Sequence, residues 1–363
     1  MENTNKRIYY AYIDVLRVIS SIMVITTHVV MHNIYVFRVH SLSWTILMIA
    51  KIITQFAVPC FFMISGAMLI SDSYEISYID FIKRRFLKII VPFLMWSFLY
   101  YAYFSFILNY YEFSLWDFVK RFLRQDISGH FWYMYALVTL YMLIPFLKKC
   151  IRNMEQMMIR TFIIILAIWG SIIPMIAELF QQFADIKLSL FTIGKMGVYL
   201  NYTIIGYYIH TTKVSSKRKW RLLLTLTGSG LLFQCLFTYF LSADSITQVW
   251  INITWLPVMI FSVFIFATVK SKFNSEKVQP KLQTGIIKLA AKLAPFSFTA
   301  YLLHMLWLRS FQYLCPNDKL RMFVNKGGRQ AQFITVAEVL GAVILSYLSA
   351  FICKKIKYIN NNL

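Results

Sequence analysis

The sequence predicts an all-α polytopic membrane protein, and three observations carry that prediction. The first is composition: 59% of the 363 residues are hydrophobic, 18% aromatic and only 14% charged, whereas soluble domains run about 45–50% apolar and about 25% charged. The second is length. Apolar runs able to cross a bilayer need roughly 20 residues, and ten such runs occur, near 12–35, 46–71, 88–109, 131–149, 158–180, 193–211, 221–241, 248–269, 291–312 and 333–353. The third is the placement of charge. Of the 37 Lys and Arg, 24 fall on one side of the ten-span layout and 10 on the other, while Arg17, Lys51 and Lys195 lie within spans. The side richer in Lys and Arg is cytoplasmic, so both termini are expected in the cytoplasm.

This arithmetic excludes a disordered chain, a coiled coil and an ordinary soluble enzyme. A net charge of +22 on a soluble protein would point to nucleic acid. Here the cations stand between apolar runs and serve as anchors, so the bilayer is the expected partner and nucleic acid is not. The longest gaps, near 110–130, 270–290 and 313–332, are too short for a soluble catalytic domain. Residues 1–363 are therefore expected to be one integral-membrane domain, with no soluble domain after the last span, and any chemistry is expected of the spans themselves. The first run is not a cleaved leader, because it is long and contains Asp14 and Arg17. The five cysteines are scattered without CxxC spacing, so free cysteines are expected, with no disulfide framework and no metal site. No internal repeat supports the inverted-repeat architecture of secondary transporters.

The first span carries a polar stripe. Asp14, Arg17, Ser21, His28 and His32 fall within an arc of about 60° at 100° per residue. Ionisable groups at bilayer depth are expensive and by default functional. Arg17 and His28 stand about 16.5 Å apart along the axis, with Arg17 expected near the cytoplasmic face and His28 in the outer half. Asp14 is three residues from Arg17, close enough to hold its guanidinium. A boundary salt bridge and a packing histidine account for the same residues.

Three more stretches stand out. The second span contains Pro59, Phe61, Phe62, Ser65 and Gly66, where Pro and Gly free backbone groups and permit close helix approach. Before the third span, Lys83, Arg84, Arg85 and Lys88 form a cation cluster able to grip phosphates or anionic headgroups. In the ninth span Ser297, Tyr301 and His304 share one helix face.

Together these residues resemble the acyltransferase 3 family of bacterial integral-membrane O-acyltransferases. Arg17 and His28 match its first-span Arg-x10-His pattern, and Phe61-Phe62-x-x-Ser65-Gly66 matches its second-span Phe-Phe-x-x-Ser-Gly. Arg85-x-x-Lys88 followed by Pro92 resembles its basic pair, with Lys where Arg is more typical. The run from Phe131 through Trp132 and Tyr133 to Leu137 resembles the aromatic opening of its fourth span. Ser297-x-x-x-Tyr301-Leu302-x-His304 resembles its late Ser-x-x-x-Tyr-Leu-x-His run.

The resemblance implies transfer of an acyl group, usually acetyl, from cytoplasmic acyl-CoA to a hydroxyl of a cell-surface or lipid-linked glycan, in the cell membrane and without a permanently bound cofactor. It makes acetyl-CoA the expected donor substrate. Arg17, Arg84, Arg85 and Lys88 are the expected acyl-CoA ligands. His28 is the expected general base, with Asp14, Arg17, His304 and Ser65 as further catalytic candidates; an acyl-enzyme on His28 or Ser65 stays open beside direct transfer. Trp132, Tyr133, Tyr301 and Glu338 are the expected acceptor-binding residues, although Trp132 and Tyr133 also suit an interfacial aromatic belt. The rival class is a polysaccharide exporter or small-molecule transporter, which ten spans with buried charge fit as well.

Overall fold

The computed structural model describes residues 9–72, 77–188, 192–212, 216–243, 252–273, 281–314 and 329–355, without the side chains of Arg84, Arg85, 281–284, Leu314 and 329–331. It is 86% helical, with no strand among the described residues. The helices are α1 (Ala11–Asn33), α2 (Leu42–Thr54), α3 (Ala57–Leu69), α4 (Tyr78–Phe81), α5 (Leu87–Phe106), α6 (Leu115–Leu123), α7 (Trp132–Arg152), α8 (Gln156–Ala167), α9 (Ile173–Ala184), α10 (Gly194–Thr211), α11 (Lys217–Leu241), α12 (Leu256–Phe273), α13 (Lys281–Leu293), α14 (Ser297–Leu314) and α15 (Arg329–Lys355). Among the described residues, nine helical segments are long and apolar enough to cross a membrane. The remaining expected span, near 193–211, is the helix α10, which lies outside those nine.

Several spans are broken rods, and proline accounts for one of the breaks directly. The second span runs from Leu42 to Leu69 as α2 and α3 with a step at Gln55 and Phe56. Pro59 has no N–H to donate to the Gln55 carbonyl and its ring crowds it, so the rod stops and restarts. The Lys51 carbonyl at the break is taken by Thr54 Oγ1 at 2.9 Å and Gln55 Nε2 at 3.2 Å, which keeps backbone polarity satisfied at membrane depth. Likewise, α13 and α14 meet at a short turn, Ala294–Phe296, that contains Pro295. In the gap between the third and fourth spans lies the short helix α6, capped by Ser114 Oγ accepting from Asp117 N–H.

The central helix is α1. It packs against α2, α3, α12, α13, α14 and α15, and this crowding follows from its apolar character on every side but the stripe. Its pairing with α15 is antiparallel: Ser21 bonds Tyr347 while Asn33 bonds Thr335 and Glu338. The tightest approach joins α3 to α10. A Cβ at Gly66 would run into the backbone carbonyl of Thr203, and one at Gly206 into that of Met63. Without a hydrophobic force between helices in lipid, such close backbone contact supplies the attraction. The Ser65-Gly66 motif is thus a packing device first. Cys60, Cys150, Cys235 and Cys353 are free, whereas Cys315 lies outside the described residues.

Candidate active site

The stripe on α1 survives folding because α1 is one uninterrupted helix, so the helical phase that groups these residues holds over its whole length. At its N-terminal end Arg17 Nη1 pairs with Asp14 Oδ1 at 3.5 Å, and the Arg17 side chain is 40% exposed. Asp14 also stands in the first turn, where the helix dipole favours a carboxylate. One turn further on, Ser21 is fully buried, and its hydroxyl lies 2.5 Å from that of Tyr347 on α15. This pair stands in the stripe between Arg17 and His28.

Beyond that pair the stripe reaches a row of three histidines. The His28 ring lies 5.1 Å from that of His304 on α14, and His304 lies 5.0 Å from that of His130, just before α7. They come from three helical segments far apart in sequence. Two tyrosines fix them. Tyr301, one turn before His304, donates its hydroxyl to the His130 carbonyl at 2.6 Å, and the Tyr100 ring on α5 sits 5.2 Å from that of His130. Tyr100 in turn donates to the Leu302 carbonyl at 2.7 Å, which ties α5 to α14.

The hydrogen bonding of His304 sets its tautomer. Its Nδ1 faces the Tyr301 backbone carbonyl. A carbonyl only accepts, so Nδ1 carries the hydrogen and neutral His304 presents Nε2 as an acceptor. That Nε2 is buried with no hydrogen-bond partner among the described residues. Leaving a buried acceptor unpaired is costly, which makes this atom a natural seat for a donor that arrives with a substrate. His28 is different. It is only half-buried, whereas His304 and His130 are fully buried. The three rings lie in a row and not around a point, and among the described residues no group of His, Cys, Asp or Glu could hold a metal ion.

The aromatic candidates line the same region. Tyr133 is buried, with its ring 5.4 Å from that of Tyr301 and 5.1 Å from that of Phe62. Trp132 is half-buried against Tyr199, which stacks on Phe62 at 4.8 Å. These are contacts between helices of the bundle. The structure does not bring the other candidates to the histidines. Ser65 Oγ donates to the Phe61 carbonyl of its own helix at 3.1 Å. Glu338 accepts from Asn33 Nδ2 at 2.6 Å, a turn and a half beyond His28. Lys88 is exposed at the start of α5, and the Arg84 and Arg85 side chains lie outside the described residues.

Sequence reasoning missed His130. The apolar run read from the sequence begins at Phe131 and leaves His130 outside it, whereas the membrane-crossing segment begins at Gly129. The signal was its place directly before the aromatic opening Phe131-Trp132-Tyr133, but nothing in that spacing says that it would meet His304.

A histidine row backed by unfilled acceptor capacity, a hydroxyl-lined wall and a distant exposed arginine is suited to taking a proton from a hydroxyl and handling a charged donor at a separate end. No curated protein and no solved structure matches the chain significantly. A family model described as an acyltransferase domain matches residues 10–355, from the start of α1 to the end of α15, and thereby takes in both the arginine end and the histidine row. The chain belongs to the acyltransferase 3 family and is a multi-pass membrane acyltransferase.

Proposed function

We propose that the protein transfers an acetyl group from cytoplasmic acetyl-CoA to a hydroxyl of a cell-surface or lipid-linked glycan, acting in the cell membrane with both termini in the cytoplasm. The observation that carries this reading is the adjacency of His28 and His304, 5.1 Å apart in the interior, on a helix whose opposite end exposes Arg17.

His28 accepts the proton of the acceptor hydroxyl as its oxygen attacks the thioester carbonyl. The new C–O bond forms, the C–S bond breaks, and the CoA thiolate leaves with the electron pair and is reprotonated. A positioned base contributes about 10²–10⁴-fold, and the thioester is already activated, so base and positioning together suffice. His304, held by the Tyr301 carbonyl, orients the reacting groups. Arg17, with the Lys83–Lys88 cluster, meets the donor phosphates; Arg grips them bidentately and Lys as a point charge. Trp132, Tyr133 and Tyr301 supply faces and a hydroxyl for the sugar, and Glu338 with Asn33 lies at the same end. Direct transfer is favoured over an acyl-Ser65 intermediate by the bond that turns Ser65 into its own helix.

The test is transfer of labelled acetyl from acetyl-CoA to surface glycan by membranes carrying wild-type or His28→Gln protein. Label appears in glycan with the wild type only. Equal labelling by both proteins removes His28 from the mechanism, and glycan export without acetyl-CoA consumption restores the transporter class.

A further inference from the structure

The short helix α6 carries an exposed apolar face. At 100° per residue, Leu115, Val119, Leu123 and Trp116 occupy an arc of about 100°. Leu115, Trp116 and Leu123 are 65%, 65% and 73% exposed, and Val119 is exposed as well. On one side of that arc stand Phe118 and Phe122, which pack against the bundle. Phe118 meets Phe98 and Tyr101 of α5, and Phe122 meets Phe93 of α5 and Tyr135 of α7, at ring separations between 5.3 and 5.6 Å. On the other side stand Lys120, Arg124, Asp117 and Arg121. The orientation of α6 is fixed. The Tyr101 hydroxyl accepts from the Ser114 N–H and donates to the Ser114 carbonyl, both at 2.9 Å. The Arg121 guanidinium, paired with Asp117, lies 4.1 Å over the Tyr111 ring.

Single exposed apolar side chains need no explanation, but four on one fixed helix face mark an interaction surface. The nine residues of α6, at ~1.5 Å each, cannot cross a hydrocarbon core of about 30 Å, so the helix lies along a surface. Its faces run from protein through apolar to charged, the order that a helix lying in the membrane plane beside its own bundle requires. The apolar face also continues the outer surface of the third span. Phe106, at the end of α5 and 63% exposed, stacks on Phe113 at 4.9 Å, and Phe113 reaches Phe98, which touches Phe118. Lys120 stands over the Trp116 ring at 5.5 Å, which suits an indole at headgroup level with the ammonium turned to water. We propose that α6 is an interfacial anchor whose Leu115, Trp116, Val119 and Leu123 enter the headgroup–acyl boundary of one leaflet to a depth of about 5–10 Å. Phe122 reaches Phe93, Phe93 reaches Phe131 at 5.5 Å, and Phe131 lies 4.2 Å from the His130 ring. The leaflet is therefore the one at the histidine end, which is the outer leaflet in the topology proposed above.

The experiment uses the full chain in phosphatidylcholine nanodiscs. The Trp116 emission is the wild-type spectrum minus that of Trp116→Phe, which removes the other tryptophans from the signal. It is quenched in turn by lipids brominated near the head of the acyl chain, by lipids brominated near its end, and by aqueous acrylamide. The seated helix gives a blue-shifted Trp116 emission that the shallow bromines quench most and acrylamide least. Leu123→Asp makes the face polar, shifts that emission to the red and opens it to acrylamide. The wild-type depth profile carries the test if Leu123→Asp does not fold.

Ready quenching by acrylamide with no effect of bromine puts the face in water and overturns the proposal. Strongest quenching by the deep bromines overturns it too, because α6 then dips into the hydrocarbon core. Protection from all three quenchers marks a face covered by a second copy of the chain and does the same. So does an unchanged depth profile in folded Leu123→Asp protein.

Discussion

The two ends of α1 are built on opposite principles. At the Arg17 end the charge is exposed and held loosely by one carboxylate at 3.5 Å. At the His28 end the ionisable rings are held by buried tyrosines and by one another, and the His304 Nε2 lacks a partner. The difference follows from what each end must do. A long-chained cation in contact with water can follow a flexible, highly charged donor and release it. A base that takes a proton during reaction needs fixed neighbours and little water, since a preorganised site does not have to reorganise when charge develops.

The comparison breaks first at His28. His28→Gln keeps a hydrogen-bonding group but no base near neutral pH, so transfer falls about 10²-fold or more while the protein stays folded. His304→Gln loses activity less completely, because His304 orients. Both are read as initial rates normalised to folded protein. Full activity of His28→Gln would make the two ends equivalent in kind.

The Arg17 end is expected to fail differently. Arg17→Ala and Lys88→Ala raise KM for acetyl-CoA by about tenfold, the scale of one lost charge-assisted contact, with a smaller change in the KM of the sugar. Isothermal titration with CoA checks the binding half. A loss confined to sugar binding would reverse the assignment of the ends.

Tyr301→Phe sharpens the description of the histidine end. It removes the donor to the buried His130 carbonyl and leaves that acceptor unpaired, at a cost of about 1–3 kcal/mol. Thermal unfolding in detergent detects the loss, and transfer declines less than in His28→Gln. The smallest expected effect lies outside the spans, at Asp117. Its carboxylate accepts from Arg121 Nε at 2.7 Å, and the guanidinium holds its carboxyl below the usual range. The pair therefore contributes stability above the pH at which an unfolded aspartate titrates and loses it as pH falls through the lower folded-state value. Asp117→Asn shifts melting least of the set at neutral pH and not at all in strong acid.

Much of the site was legible because it lies on single helices. Asp14, Arg17, Ser21 and His28 share a face by arithmetic alone, as do Tyr301 and His304, and a continuous helix preserves that phase. The breaks were less legible: Pro59 announces itself, but the stop at Gln55 depends on which carbonyl loses its donor. The packing role of Gly66 was visible only as a permissive residue until Thr203 and Met63 appeared opposite.

Composition, span length and the Lys and Arg asymmetry determine a multi-pass helical protein by themselves, because a bilayer allows little else for such a chain. Motif order determines the family, since residues within one helix keep fixed spacing. Only the tertiary structure decided that His28 meets His304 and that His304 meets His130. It also decided that Ser21 meets Tyr347, and that Lys51 reaches Thr27, the residue before His28. Those contacts join helices separated by up to some three hundred residues of chain, and helix periodicity says which face a residue occupies but not which other helix that face will find.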